Sequence, residues 1–458
     1  MKASHTIHPV FDDCNLVSAA GLVPVLQLAE SAGLSELLGR LTVESPNAAA
    51  KTTSLLSGML AGADSIDDMD LLRHGGMPAL FTGVRAPSTL GTFLRLFTHG
   101  HVRQLDAAGT RLLAQLADRV PGLIGGHDDP EALAFLDVDD SVHQVHGYAK
   151  QAAGFGYTGV RGLNMQIAVT STPVSAPVIT GARLRKGNTA SASGSAGMLA
   201  DAISASRRAG AAGQILVRAD SAYYRHDFTA TAARRGGWFS ITTPMNPAVT
   251  SAIASIDEQA WTPIAYPHAV WDDDEHRWIS DAEVAEVDFT AFTSRRKADH
   301  VDCRLVVRRV KRLQPRAADH AGQGELFAAY RHHAFITNST LSAVEADQRH
   351  RGHAVIEQVH AELKNGPLAH LPSGIYTANA AWVAIAVIGF NLARAASVAA
   401  GMATARWATL QARIIGVPAR IARTGRRLML HLPTYWPWMA GWNLLWHSTT
   451  GPPGPHTV

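Results

Sequence analysis

The chain has 458 residues, more than one ordinary hydrophobic core accommodates, so we expect two or three domains. With 47% apolar and 17% charged residues and a net charge of +3, the composition is globular and excludes a disordered chain. Residues 1–10 lack the apolar core of a signal peptide, and the apolar run at residues 380–390 is shorter than the about 20 residues that cross a bilayer. We therefore predict no membrane partner, and a buried helix at residues 380–390.

The two cysteines, Cys14 and Cys303, lie far apart and form no metal-ligand pattern. Such sparse cysteine usage fits a reducing compartment, so we predict a cytoplasmic protein.

Residues 1–125 read as a helical N-terminal domain, because apolar residues recur at helical spacing in segments 22–38 and 53–61. A further helix start is predicted at Pro87, with Ser88 or Thr89 as its cap. DNA binding is a candidate role for this domain. Packing in a generic helical bundle explains the same pattern equally well.

A stretch rich in Gly and Pro at residues 120–130 marks a boundary, after which the pattern changes to short strands and helices. The predicted order is three strands, a helix, a strand, a helix and a strand, at residues 134–139, 164–170, 178–184, 196–208, 214–219, 228–235 and 238–243. This is the order of an RNase H-like mixed β-sheet, so residues 126–243 are predicted to form the first part of an α/β core.

The rest of the chain divides into four predicted parts. Residues 244–330 form a β-rich insertion, with a strand at residues 304–310. Residues 331–370 complete the core with a strand at 333–337 and a helix that begins at the capping box Ser342-Ala-Val-Glu345 and ends near Lys364. Residues 371–448 form a basic helical C-terminal region, and residues 449–458 a disordered tail.

The C-terminal region is basic because no Asp or Glu follows Glu362. The stretch after Glu362 contains eight positive residues: Lys364, Arg394, Arg406, Arg413, Arg420, Arg423, Arg426 and Arg427. An uncompensated positive field suits a phosphate backbone, although a solvated face without a ligand has the same pattern. Within it, Arg420, Arg423, Arg426 and Arg427 are the residues that we predict contact DNA.

Three carboxylates from separate segments are candidate metal ligands. Asp139 follows an apolar strand, and Asp137 points to the same side two residues earlier, as a neighbour or alternate ligand. Asp140 is read as a strand-closing turn residue. Asp220 ends the strand at residues 214–219, and the first and fourth strands of an RNase H-like sheet lie side by side. An ordinary turn or helix cap would also explain Asp220.

Glu357 is the third candidate and lies on the helix predicted to begin at Ser342. At about 100° per residue, His350, His353, His360 and Lys364 fall within about 60° of Glu357, while the apolar residues fall on the opposite side. Glu362 falls away from that face, which disfavours it as a ligand. A plain amphipathic surface helix explains the apolar stripe, but not the His and Lys residues around one Glu.

These segments resemble the DDE transposases of bacterial insertion sequences, specifically DDE transposase group 1. The resemblance spans most of the chain. It rests on five motifs, namely Leu136-Asp-Val-Asp-Asp-Ser141, Gly156-Tyr-Thr-Gly-Val-Arg-Gly162, Leu184-Arg-Lys-Gly-Asn188, Val217-Arg-Ala-Asp-Ser221 and Arg351-Gly-His-Ala-Val-Ile-Glu-Gln-Val-His-Ala-Glu-Leu-Lys-Asn365.

The resemblance implies that Asp139, Asp220 and Glu357 are the catalytic and metal-binding acids. Relatives carry a Tyr-x2-Arg-x3-Glu-x6-Lys pattern, in which Glu357 and Lys364 match. His350 and His353 stand in the Tyr and Arg places. The phosphate contact of that Arg therefore falls to His353 or Arg351, beside Lys364.

The implied cofactor is a pair of Mg²⁺ ions, for which Mn²⁺ substitutes, and the implied substrate is DNA. The enzyme would bind the terminal inverted repeats of its element, cut there, and join the freed 3′-hydroxyl to target DNA. A homodimer on DNA, associated with the nucleoid in the cytoplasm, is expected. Two rivals stay open, namely a nuclease that cuts without joining and a DNA-binding protein that has lost catalysis.

Overall fold

The protein is described by a computed structural model that covers residues 5–125, 132–147, 149–267, 269–273, 277–279, 282–311, 330–425 and 427–450. The helices, in chain order, are α1 (Leu22–Ser31), α2 (Leu34–Gly39), α3 (Ala48–Ala61), α4 (Met77–Leu80), α5 (Pro87–Leu94), α6 (His99–Arg119), α7 (Ser195–Arg208), α8 (His226–Arg234), α9 (Pro247–Ala254), α10 (Ala343–Arg351), α11 (Val355–Lys364), α12 (Tyr376–Ala399), α13 (Trp407–Leu410) and α14 (Met439–Thr450).

The strands are β1 (Leu16–Val17), β2 (Ala134–Gln144), β3 (Gly154–Phe155), β4 (Arg161–Thr172), β5 (Ser175–Arg185), β6 (Ile215–Ala219), β7 (Trp238–Thr242), β8 (Thr262–Pro263), β9 (Val270–Asp272), β10 (Arg277–Ile279), β11 (Ala282–Ala291), β12 (Val301–Lys311), β13 (Tyr330–Thr337), β14 (Ala419–Thr424) and β15 (Arg427–His431). Short 3₁₀ or π helices lie at Asp67–Leu72, Ser221–Tyr223, Glu258–Ala260, Lys297–Asp299, Gly352–Ala354 and Gln411–Ile415.

A mixed sheet forms the centre of the molecule, which is an α/β protein. Its core order is β5-β4-β2-β6-β7, in which β5, β4 and β2 pair antiparallel while β2, β6 and β7 pair parallel. Every residue of β6 is buried, which is typical of a parallel strand covered on both faces. The strands and helices predicted between residues 134 and 243 are therefore confirmed, with longer β2, β4 and β5.

The predicted insertion adds strands to the same sheet rather than forming a separate layer. β12 pairs antiparallel with both β11 and β13, and β13 pairs with β7. The predicted strands at 304–310 and 333–337 lie inside β12 and β13, so both are confirmed. The described part of the insertion also contains α9, which begins where the Asn246 side chain accepts the backbone N–H of Val249.

The helices of the N-terminal region pack around α12. One apolar cluster contains Leu55 of α3, Leu112 of α6, Ile179 of β5 and Trp382 of α12. The side chain of Asn391 on α12 pairs with both backbone groups of Ile179, each at 2.8 Å, beside a register shift in β5. The two ends of the chain and the sheet therefore share one core.

α12 is the one helix in the described part of the chain whose length and composition would let it cross a membrane. However, 89% of its most apolar window is buried inside the protein. A core helix of a globular protein has this appearance. The buried helix expected at residues 380–390 is confirmed, although it is longer than the run that predicted it.

Three local predictions need correction. α5 begins at Pro87 with Ala86 as its N-cap, because the fixed φ of proline suits the first helical position, so Ser88 and Thr89 are not caps. The basic C-terminal region is not wholly helical. Residues 419–431 form the β14–β15 hairpin, and β14 also pairs with β1.

The third correction concerns the helix predicted from Ser342 to Lys364. The capping box of Ser342 and Glu345 is confirmed, with both reciprocal hydrogen bonds present. The helix is interrupted, however, by the 3₁₀ turn Gly352–Ala354, which separates α10 from α11. This break changes the direction in which residues before and after it point.

Candidate active site

Asp139 and Asp220 lie at corresponding positions of two adjacent parallel strands. In the register of β2 and β6, Val138 is paired with Ala219, and each acid is the next residue along the chain. β2 continues past Asp139 to Gln144, whereas β6 ends at Ala219. Asp220 then caps the following 3₁₀ turn by accepting the backbone N–H of Ala222 at 3.0 Å. The structure thus brings these two predicted acids together.

The charges of these two acids are poorly compensated. Burial raises the pKa of Asp139 to about 6, and the negative charge of Asp220 acts in the same direction. The pKa of Asp220 is also raised, mainly because the surrounding chain displaces water from the carboxylate, and further by the charge of Asp140. The Asp220 side chain nevertheless still reaches solvent. The protonated form of His353 opposes both shifts. A pair of oxygen-donor groups short of positive charge fits a hard divalent cation.

Asp137, two residues before Asp139, has a different environment. Its side chain is completely buried and forms a two-point ion pair with Arg218, with N···O distances of 2.6 and 2.7 Å. The Nδ1 atom of His353 lies 3.1 Å from the same carboxylate. Burial would raise the pKa of Asp137, but Arg218 and His353 hold it below its usual value. These partners occupy Asp137, so it is unsuited to be the alternate ligand.

Asp140 is part of a polar network on the other face of β2. It accepts hydrogen bonds from the Tyr223 hydroxyl at 3.0 Å and from the Asn164 amide, and it lies 3.2 Å from the Arg185 guanidinium. The interpretation of Asp140 as a strand-closing turn residue is wrong, because β2 continues to Gln144.

Glu357 does not join Asp139 and Asp220 in a complete ligand set. Its side chain lies on the exposed side of α11. Among the residues that the structure describes, no group of three or more His, Cys, Asp or Glu side chains is arranged to hold a metal ion. The structure therefore contains a two-carboxylate half-site, with the third predicted acid on a neighbouring helix.

Comparison with protein families identifies what kind of chain carries this half-site. A family model described as transposase DDE domain, group 1, matches residues 1–448. The chain belongs to this family. The expected resemblance is thereby confirmed, as is a transposase function in general terms. Compared with the curated proteins, the chain matches none.

Three basic residues of this transposase-family chain are predicted to contact phosphate. They differ in how close they lie to the two acids. Lys364 at the end of α11 donates to the Ser141 hydroxyl at 2.6 Å, and the charge of Asp139 acts on it. His353 is held by Asp137, and its charge reaches both Asp139 and Asp220. Arg351 instead pairs with Asp347 at 2.9 Å. Of the two alternatives for the family's Arg, the geometry favours His353.

His350 lies elsewhere. It hydrogen-bonds to Ser240 and Thr242 of β7 at 2.8 and 3.0 Å, and its ring stacks on Phe335 at a centroid distance of 4.2 Å. The predicted shared face of His350 and Glu357 is therefore wrong, because the 3₁₀ turn breaks the helical register. Glu362 accepts hydrogen bonds from Arg394 and the Trp407 backbone, which agrees with its exclusion as a ligand.

The basic C-terminal segment is an exposed hairpin. Arg420, Arg423 and Arg427 are exposed on β14 and β15, and Arg420 lies 3.1 Å from Asp13. Arg426 lies outside the described residues. Arg394 is buried in its ion pair with Glu362, so not every positive residue of this region is available to a ligand.

Arg218 is the main site residue that the sequence analysis missed. Besides Asp137, it binds the backbone carbonyl of Arg349 at 2.5 Å and lies over the Phe135 ring. An arginine inside the apolar strand β6 was the available signal, because a buried charge requires a partner. Arg218 lies two residues before Asp220, so its partner was to be expected close to the candidate acids.

Proposed function

We propose that this chain is a DNA transposase that binds the terminal inverted repeats of an insertion sequence and catalyses metal-dependent strand cleavage and strand transfer. Asp139, Asp220 and Glu357 are its catalytic residues and hold two Mg²⁺ ions, for which Mn²⁺ substitutes. The observation that carries this proposal is the adjacent placement of Asp139 and Asp220, whose raised pKa values reflect burial and neighbouring acids in a chain of this family.

The core order β5-β4-β2-β6-β7 supports an RNase H-like assignment, since the first strand of the core lies between its second and fourth. Ligands of open α/β sheets bind at the carboxyl ends of adjacent strands. Asp220 stands at such an end, and Asp139 is level with it.

The position of α11 supports Glu357 as the third acid. The helix is anchored beside β2, because Lys364 binds Ser141, and His353 just before it binds Asp137. Glu357 lies between these two anchors along the chain. Its side chain is exposed and therefore free to change rotamer, and we infer that one such rotamer brings its carboxylate to a cation held by Asp139 and Asp220.

Bound Mg²⁺ would polarise the attacking oxygen and stabilise the leaving oxygen of a phosphodiester. The chain's own residues position the DNA. Lys364 and His353 contact the phosphates next to the scissile bond, and the Asp137–Arg218 pair fixes the ring of His353. Arg420, Arg423, Arg426 and Arg427 contact the DNA backbone farther away, with a steep dependence on salt.

We also propose the setting in which this activity takes place. The enzyme acts as a homodimer on DNA, in the cytoplasm at the nucleoid, and has no membrane partner. The helical N-terminal domain, residues 1–125, is a second region that contacts DNA.

The test uses purified full-length protein and DNA that carries the two ends flanking its gene. We expect Mg²⁺-dependent cleavage at those ends and a joined product with target DNA. Asp139→Asn, Asp220→Asn and Glu357→Gln should each abolish both products. Glu286→Gln, which alters an exposed acid on β11, is the control and should leave both unchanged.

The outcomes separate the alternatives. Nicked DNA without joined product would indicate a nuclease. Binding of the ends without any cleavage would indicate a DNA-binding protein that has lost catalysis. Full cleavage by Glu357→Gln would overturn the assignment of the third acid.

A further inference from the structure

The turn between β3 and β4 exposes apolar and aromatic side chains that nothing in the described structure covers. Phe155 is 68% exposed, Tyr157 is fully exposed at 107%, and Val160 is 36% exposed. Burying such groups is normally favourable, so an exposed cluster of them suggests an interaction surface. We call residues 155–160 the aromatic turn.

The aromatic turn is held by close backbone packing. A Cβ at Gly156 would lie 2.6 Å from the carbonyl oxygen of Gly187, and one at Gly162 would lie 2.4 Å from that of His143. One at Gly187 would meet the Gly162 oxygen at 2.0 Å. Within the turn, the Gly159 N–H binds the Gly156 carbonyl at 3.1 Å. The exposed rings therefore project from a fixed base.

The aromatic turn begins at the carboxyl end of β2, the same end of the sheet at which β6 finishes just before Asp220. β3 pairs with Gly162 and Arg161, and Gly162 is level with Gln144, the last residue of β2. Five residue steps along β2 separate Gln144 from Asp139, about 17 Å at about 3.3 Å per residue. A strand with the rise of double-stranded DNA, about 3.4 Å per nucleotide, covers that distance in about five steps.

The chain around the aromatic turn carries no negative residue. From Ser141 to Ala200 there is no Asp or Glu. Lys150, Arg161 and Lys186 lie in the segments next to the carboxyl end of β2. This positive character suits a polyanion rather than a neutral apolar partner. Exposed aromatic rings beside positive groups are the combination that binds unpaired nucleotides, with bases stacked on the rings.

We propose that the aromatic turn binds DNA by stacking Tyr157, supported by Phe155, on an unpaired base a few nucleotides from the scissile phosphate. This inference rests on the proposed function and identifies a further substrate contact. It also identifies the DNA feature that is recognised, namely a strand whose bases are unpaired beside the cleavage position.

The experiment compares full-length wild type with Tyr157→Ala, Tyr157→Trp and Val174→Ser by fluorescence anisotropy. Val174 is the control, because it is 75% exposed in the turn between β4 and β5, at the opposite end of β4. The probes are a labelled oligo(dT) strand of about 20 nucleotides, longer than one binding site, and a duplex of equal length. A second oligo(dT) carries 5-iodouracil, so that cross-linked residues can be identified by mass spectrometry.

We expect Tyr157→Ala to weaken binding of the single strand about tenfold, as the loss of one stacked base does, and to leave duplex binding nearly unchanged. Tyr157→Trp and Val174→Ser should bind as wild type does, and the cross-link should map to residues 155–160. Circular dichroism confirms that the variants fold.

Wild-type affinity of Tyr157→Ala for the single strand would overturn this inference while leaving the transposase proposal intact. A loss of self-association in that variant, with DNA binding unchanged, would overturn it in favour of a contact between copies of the chain. If wild type binds neither probe nor the element ends, the proposed function fails as well.

Discussion

Asp137 and Asp139 lie two residues apart on β2 and point to the same side, yet their surroundings give them opposite properties. Asp137 is buried with a full counter-charge from Arg218, and its pKa is lowered. Among the residues that the structure describes, Asp139 has no such partner, and burial together with Asp220 raises its pKa. Asp137, whose charge is neutralised by Arg218, can therefore support the structure and orient His353. Asp139, whose charge is not neutralised, is available to a cation.

Replacing Asp137 should destabilise the protein strongly. Asp137→Ala leaves Arg218 buried without its counter-charge, which costs about 3–5 kcal/mol of unfolding free energy. Asp70→Ala removes an exposed pair with Arg73 and should cost about 0–1 kcal/mol. Urea unfolding followed by circular dichroism measures both values. Equal costs for the two variants would contradict a structural role for Asp137.

Mg²⁺ should stabilise the wild-type fold through Asp139 and Asp220, since a ligand that binds only the folded state shifts the unfolding equilibrium. At ten times its dissociation constant, the ion should add about 1.4 kcal/mol, seen as a higher melting temperature. Asp139→Asn and Asp220→Asn should lose this response, which is independent of any activity. The exposed control Glu36→Gln should keep it, and a response retained in both Asn variants would place the ion elsewhere.

At the level of elements, the turn between α10 and α11 is packed closely against Arg218. Gly352 lies in the 3₁₀ turn, where an added Cβ would lie 2.7 Å from Nη1 of Arg218. That arginine cannot move easily, because it is buried and bound to both Asp137 and Arg349. A side chain at position 352 would therefore disturb the contacts that fix His353.

Gly352→Ala should accordingly destabilise the fold by about 1–3 kcal/mol through overpacking, despite the better helix propensity of alanine. Gly39→Ala is a matched control at the end of α2, where a Cβ meets nothing within 4 Å. It should be neutral or slightly stabilising. Thermal unfolding of both variants decides the matter, and a stabilising effect at position 352 would show that the turn is not constrained by Arg218.

The β14–β15 hairpin should account for part of the salt dependence of DNA binding. Replacing both Arg423 and Arg427 with alanine should weaken binding for all DNA sequences alike and lower the slope of log K against log salt by about 1–2. Arg208→Ala, which removes an exposed arginine at the end of α7, should leave the slope unchanged. An unchanged slope in the double variant would exclude the hairpin from the DNA-binding surface.

On the scale of the whole molecule, the core strands could be predicted because buried parallel strands are continuous apolar runs that end at polar residues. The adjacency of Asp139 and Asp220 followed from the order of these strands. The break at Gly352 could not be predicted, because a single glycine is tolerated inside helices. The pairing of Leu16 with Arg420 connects distant segments and leaves no local pattern. The position of the Glu357 carboxylate depends on helix rotation and rotamer, which residue spacing does not determine.

The shared core predicts that the terminal helices and the central sheet unfold together. Trp382 of α12 is fully buried, and its indole N–H donates to the Pro367 carbonyl at 2.7 Å. The same apolar cluster extends to α3, α6 and β5, so the loss of this side chain affects the N-terminal helices and the sheet alike.

Trp382→Ala should lower the unfolding free energy by about 3–5 kcal/mol, through lost burial and a residual cavity. Trp278→Ala, whose side chain is 40% exposed on β10, should cost much less. Calorimetry of the wild type should show one main transition, shifted as a whole to lower temperature by Trp382→Ala. Two separated transitions, of which only one responds to the substitution, would instead mean that residues 1–125 fold as an independent domain.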